Sequence, residues 1–237
     1  MKKFITDTAI AKRIYWIEKI RKLAGNFSEN TYEIEQYLAN EIQQQGVQSL
    51  LDHLHLCGHI PEIYGHDSSE EKLYSKYTDS LLSESFKIIG LKSIVLKERS
   101  DVADVEVFAK NYSFIADAKS FRISRTAKNQ KDFKVQAMDI WKRGKPYAMV
   151  ICPIYQLPNR SSQIYAQAIT RNVCIFTYSH LAMLVSFSQI AGQMNAENLL
   201  HEIFKIIPCL NPSKDASNYW LTLNKTMLEY SLTIEKL

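Results

Sequence analysis

Residues 104–119, DVEVFAKNYSFIADAK, decide how the chain is read. Apolar side chains alternate at Ala103, Val105 and Val107 and again at Phe114, Ala116 and Ala118, the two-residue period of strands with one buried face. Asp104, Glu106, Asp117 and Lys119 then share the other face. Lys110-Asn111, between the two runs, suits a two-residue hairpin turn. With that turn, residues whose numbers add to 221 oppose one another in an antiparallel ladder, and Asp104 faces Asp117.

Directly opposed residues have Cβ atoms about 4.5–5.5 Å apart, close enough for two carboxylates to repel or to force one to hold a proton. A hard divalent cation removes the conflict. Mg²⁺ keeps several waters in its octahedron, which matches two monodentate carboxylates, Asp104 and Asp117, with the backbone carbonyl of Ala118 and a substrate phosphate oxygen. Lys119, two residues past Asp117, points the same way and can orient or help deprotonate an attacking water and stabilise developing negative charge. The plainer alternative is that Lys119 only pairs with Asp117 or Glu106 on a solvated face. Three groups of this chemistry on one hairpin imply hydrolysis of a phosphodiester.

The chain has 237 residues, 46% of them hydrophobic, with seven Gly and six Pro, which suits one globular domain. No apolar run approaches the roughly 18 residues of a membrane span, and the charged N-terminus MKKFITDTAIAKRIYWIEKIRK lacks a signal core. A cytoplasmic protein is expected. Cys57, Cys152, Cys174 and Cys209 are widely spaced, without C-x-x-C, and favour buried free thiols. From Lys119 to Lys145 nine Lys or Arg stand against only Asp132 and Asp139, more than the whole chain's net charge of +4. A basic surface beside a metal-carboxylate site suits a polyanion.

Helical periodicity marks residues 5–24, through Ile10, Ile14, Ile17 and Ile20, then 29–44, 47–55 and 70–90, the last capped by Gly90. Strands are expected at 92–96, 102–109, 113–119, 147–152 and 173–178, with helices at 132–142, 161–170 and 180–187. The class is therefore α/β, a mixed central sheet flanked by helices. Residues 1–69 form a mainly helical part, 70–190 a catalytic core and 191–237 a helical C-terminal part of one nuclease domain.

The stretch IADAKSFRISRTAKNQKDFK, residues 115–134, resembles the HindIII-type restriction endonucleases nearly letter for letter. Weaker similarity runs through IPEIYGHDSSEEKLYSK and YAMVICPIYQLPNRSSQIY, covering roughly residues 47–190. The resemblance implies a PD-(D/E)xK nuclease fold, Mg²⁺ dependence, a homodimer and cleavage of double-stranded DNA at the palindrome AAGCTT. It makes Asp104, Asp117 and Lys119 the catalytic set and matches Glu71 to a family glutamate near the metal, although Glu71 also reads as an ordinary first-turn carboxylate. No proline precedes Asp104, where Val102-Ala103 stand; the Pro is commonly absent. A host carrying such an enzyme is expected to carry a DNA methyltransferase.

Base recognition falls on the segment after Lys119. Asn129 can pair adenine, Lys131 guanine and Asp132 cytosine, while Ala127 can touch a thymine methyl. Arg122, Arg125, Lys128 and Lys134 are expected as phosphate clamps. The cluster His53, His55, Cys57 and His59 invites a zinc reading, but its spacing fits structural zinc poorly. Two alternatives stay open: a nuclease of the same fold with another specificity or role, and a DNA-binding remnant without turnover, motivated by the resemblance fading after Phe187 and the chain stopping at Leu237.

Overall fold

The computed structural model describes residues 5–97, 102–124, 130–212 and 216–234, with the side chains of 130, 131 and 232–234 outside the description. The hairpin expected around Lys110-Asn111 is present. Strand β2 (Val105–Phe108) pairs antiparallel with β3 (Ser113–Ala118), with Val105 opposite Ala116 and Phe108 opposite Ser113. Both pairs obey the 221 register, and Ala109 N–H donates to the Tyr112 carbonyl across the turn (2.9 Å). β1 (Lys92–Val95) adds antiparallel to β2, while β4 (Tyr147–Cys152) and β5 (Val173–Thr177) add parallel to β3, giving a five-stranded mixed sheet in chain order. Parallel pairing requires covered faces, and β3 to β5 are accordingly almost continuously apolar and buried.

Helices α1 (Asp7–Arg21), α2 (Phe27–Gln45) and α3 (Val47–Leu54) precede α4 (Ser69–Ile88), which crosses β1, β2 and β3. Leu73, Tyr74, Tyr77, Leu81 and Phe86 of α4 are buried as the periodicity requires, and Phe86 meets Phe114 edge to face at 5.1 Å. Gly90 ends the helix at φ +98°, a left-handed conformation that a side chain would strain. α5 (Gln130–Phe133) and α6 (Val135–Trp141) follow β3, α7 (Gln163–Thr170) precedes β5, and α8 (Tyr178–Ala191), α9 (Gln193–Ile206) and α10 (Ala216–Ile234) complete the helical C-terminal part. Phe204 of α9 stacks on Tyr147 at 4.8 Å. The fold is α/β with helical N- and C-terminal parts, as expected from a restriction-endonuclease-like core.

Two expectations are corrected. On α1 the buried residues are Ala9, Trp16 and Ile20, whereas Ile10 and Ile14 are 46% and 58% exposed. Trp16 sets the face, because its indole packs against Tyr77 and His53 and donates to Glu41 (2.7 Å). The single helix expected over 132–142 breaks at Lys134, which is left-handed (φ +47°) and divides α5 from α6. Cys57, Cys152 and Cys174 are buried free thiols and Cys209 is an exposed one. No helix among the described residues is long and apolar enough to cross a membrane.

Between α2, α3 and α4, His53 bonds Tyr77 OH (2.7 Å) and Glu41 (3.1 Å). Burial holds the His53 pKa below its ordinary value. Burial opposes the charge of Glu41, but its bonds from His53, Lys12 and Trp16 outweigh that and keep it ionised well below the usual carboxylate range. Both folded-state pKa values are depressed, so the unfolded chain binds more protons on acidification and both contributions to stability are lost as pH falls. Melting temperature is expected to drop first below pH about 6.5, where unfolded His53 begins to protonate. In His53→Gln that first step should become smaller in a Tm-against-pH profile but not vanish, because burial also lowers the pKa of His55, His59, His180 and His201.

Candidate active site

The hairpin carries Asp104 and Asp117 to one point. Asp104 immediately precedes β2, and its carbonyl accepts from Leu96 N–H (2.8 Å), so β1 fixes the approach to the strand. Asp117 lies on the central strand and is 1% exposed, so it does not stand on the solvated face of the plainer alternative. Lys119 follows β3 with its backbone N–H on the Ile151 carbonyl (2.7 Å), held by the parallel neighbour β4, and its ammonium pairs with Asp117.

The electrostatics divide the two carboxyls. Burial, then the charges of Asp117 and Asp79, push the Asp104 pKa well above the usual carboxylate range. Burial also opposes the charge of Asp117, but the Lys119 ammonium and a hydrogen bond from Asp104 outweigh it and lower its pKa. Asp104 is thus the carboxyl that keeps its proton to the higher pH, and its hydrogen bond favours ionised Asp117. Lys119 is itself buried, which disfavours its charge, yet Asp117 and Asp104 prevail and raise its pKa. It is an ammonium here, suited to orienting a water and meeting negative charge rather than to removing a proton.

Two further groups reach this site from α4. Asp79 is buried and bonded by Lys76 (2.9 Å), and burial pushes its pKa up to about 6 against the pull of that lysine. Asp79 and Lys76 both act electrostatically on the hairpin carboxylates. In the sequence the two are an i, i+3 pair on a helix, and nothing local distinguishes them from a surface ion pair.

Glu71 is held elsewhere. It caps the start of α4, with its carboxylate accepting from Asp67 N–H (2.9 Å) and Arg122 (3.0 Å). It lies eight residues before Asp79, about 12 Å along the helix axis. Arg122, expected as a phosphate clamp, is 5% exposed and donates to the carbonyls of Tyr64 and Gly65 as well as to Glu71. It anchors the loop before α4 instead. Within the basic run, Lys142 pairs with Asp139 and Lys145 with Glu106. Arg125, Ala127, Lys128 and Asn129, and the side chain of Lys131, lie outside the described residues. Asp132 is half-buried on α5; Lys134 is exposed, lies over Trp141 (5.4 Å) and acts on Asp117 electrostatically.

Asp104 opens into a cleft of about 1450 Å³ between α2, α4, the end of β1 and α6. That volume exceeds the roughly 300–1,000 Å³ of small-ligand pockets, and the cleft carries Lys72, Lys76, Lys97 and Lys134. Among the described residues no three His, Cys, Asp or Glu side chains gather as a ready metal cage. His53 is taken by Tyr77 and Glu41, and the Cys57 thiol donates to the Leu54 carbonyl (3.6 Å). The donor set at Asp104 and Asp117 suits a cation that keeps most of its own waters, since their shared proton marks where two carboxylates demand positive charge.

A family model described as HindIII restriction endonuclease matches residues 14–237. The type II restriction enzyme HindIII of Haemophilus influenzae is 38% identical over 172 residues. The match covers 71% of this chain and 57% of that protein.

Proposed function

Because the chain belongs to the HindIII restriction endonuclease family, we propose that it is a type II restriction endonuclease that hydrolyses both strands of duplex DNA at the palindrome AAGCTT. The observation that carries the reading is the convergence of Asp104, Asp117 and Lys119 at the end of one hairpin, beside a lysine-bearing cleft. The AAGCTT specificity follows from the resemblance of residues 115–134 to the HindIII-type enzymes, and a homodimer suits a two-fold symmetric site. A cytoplasmic location and a methyltransferase in the host complete the proposal, with residues 1–237 acting as one nuclease domain.

Asp104, Asp117 and the Ala118 carbonyl would hold Mg²⁺, which when bound polarises a phosphate oxygen and acidifies water. Lys119 orients the attacking water and meets the charge that develops on the phosphoryl oxygens. Asp79 stands behind the pair as a third carboxylate. Glu71, matched by resemblance to a metal-site glutamate, is left to cap α4 by its bond to Arg122. Ala127, Asn129, Lys131 and Asp132 remain proposed readers of the half-site and Arg125, Lys128 and Lys134 its phosphate contacts.

Digestion of a plasmid of known sequence with Mg²⁺, followed by end mapping, tests this directly. Fixed ends within AAGCTT are expected. Fixed ends at another palindrome would move the specificity, and ends at junctions or nicks would replace the role. A mobility shift without any cleavage would leave a DNA-binding protein.

Cation binding must expel the proton that Asp104 shares with Asp117. Metal affinity should therefore rise with pH and fall on acidification, because Asp104 has the raised pKa. Calorimetric Mg²⁺ titrations in buffers of different ionisation enthalpy should report net proton release that grows as pH falls. No proton release would mean that the cation binds away from this pair.

A further inference from the structure

Lys76 occupies an unusual position for a lysine already in an ion pair. Its ammonium bonds Asp79 at 2.9 Å, its side chain stays 25% exposed, and it lines the same cleft as Asp104. An ammonium has three donors. One is spent on Asp79, and among the described residues no other acceptor takes the remaining two. Lys72 and Ser75 lie on the same wall, four and one residues earlier, which on a helix is one continuous face. Lys72 is exposed and makes no ion pair among the described residues.

We propose that this face of α4 is a phosphate track: Lys72 and Lys76 hold the backbone of the strand being cut and lead it to Asp104. The inference rests on the nuclease reading and adds to it a binding element on α4, upstream of the basic run after Lys119. Lys119 and Lys76 divide the work. The first is bonded to Asp117 and faces the reacting water; the second, pinned by Asp79, presents its free donors to the entering phosphate. Lys76 and Lys72 are positioning residues, and they read no base.

DNA affinity is measured in the Lys119→Ala background, so that binding is not confused with cutting, on one duplex containing AAGCTT and one lacking it, across a series of salt concentrations. Lys72→Gln with Lys76→Gln should weaken both duplexes alike, by about tenfold or more. The slope of log affinity against log salt should become shallower by about 1.8, two phosphate contacts at about 0.9 each. Lys76→Arg paired with native Lys72 should keep the parent slope. Lys72→Gln alone leaves the Asp79 ion pair untouched and should still remove about 0.9 from the slope. An unchanged slope in both Gln proteins, folded by circular dichroism, overturns the track. If instead the protein with native lysines neither binds nor cuts DNA, it is the nuclease reading that fails.

Discussion

Lys119→Ala is expected to lower the rate of DNA cleavage about 10³-fold while leaving DNA affinity within a few-fold of the parent. The substitution removes the ammonium that pairs with Asp117 but none of the three oxygen donors proposed for the cation. It leaves buried Asp117 without the ammonium that holds its pKa down, a loss that a bound divalent cation would offset. Some loss of stability is expected without the cation, so folding is checked by circular dichroism in both the Mg²⁺ and the Ca²⁺ solutions. Single-turnover cleavage with Mg²⁺, alongside a mobility shift in Ca²⁺, separates the two effects. Cleavage at the parent rate would reduce Lys119 to a counter-ion for Asp117, and the proposed chemistry would have to move to another group.

Arg122→Ala should destabilise the fold by about 2–3 kcal/mol, a melting shift of roughly 5–10 °C for a chain of this size. The guanidinium ties the carbonyls of Tyr64 and Gly65 to the Glu71 carboxylate. Removing it leaves Glu71 without its cation and frees the loop that leads into α4. The partial exposure of Glu71, and of Glu62, which also pairs with Arg122 (3.5 Å), keeps the loss below that of a fully buried ion pair. Arg122→Lys should recover only part of the loss, because one ammonium cannot span the same acceptors as a planar fork. A phosphate clamp would behave the other way, with unchanged melting and a shallower salt slope in DNA binding. Differential scanning calorimetry and the salt titration together distinguish the two.

These cases show where the sequence is legible. The hairpin reads directly because its information is local: a period of two, a two-residue turn and a register that follows by counting. The end of α4 at Gly90 is equally local. Arg122 fails as a reading because charge density along a chain says nothing about depth, and a guanidinium facing several carbonyls is invisible until the loop at 61–65 folds beside it. The face of α1 fails for a related reason. Its isoleucines have the right spacing, yet the larger Trp16 wins the interior through Tyr77 and His53, two residues from other helices.

By itself, then, the sequence determined the sheet, the paired Asp104 and Asp117 and the lysine beside them, because strand period and turn chemistry act over a few residues. Only the tertiary structure decided that Asp79 and Lys76 join that site, that Glu71 and Arg122 serve the scaffold, and that Asp117 is buried. Each of these depends on α4 crossing β1 to β3, and the charge state of every carboxyl there follows from how much water that packing excludes and which ammonium remains near.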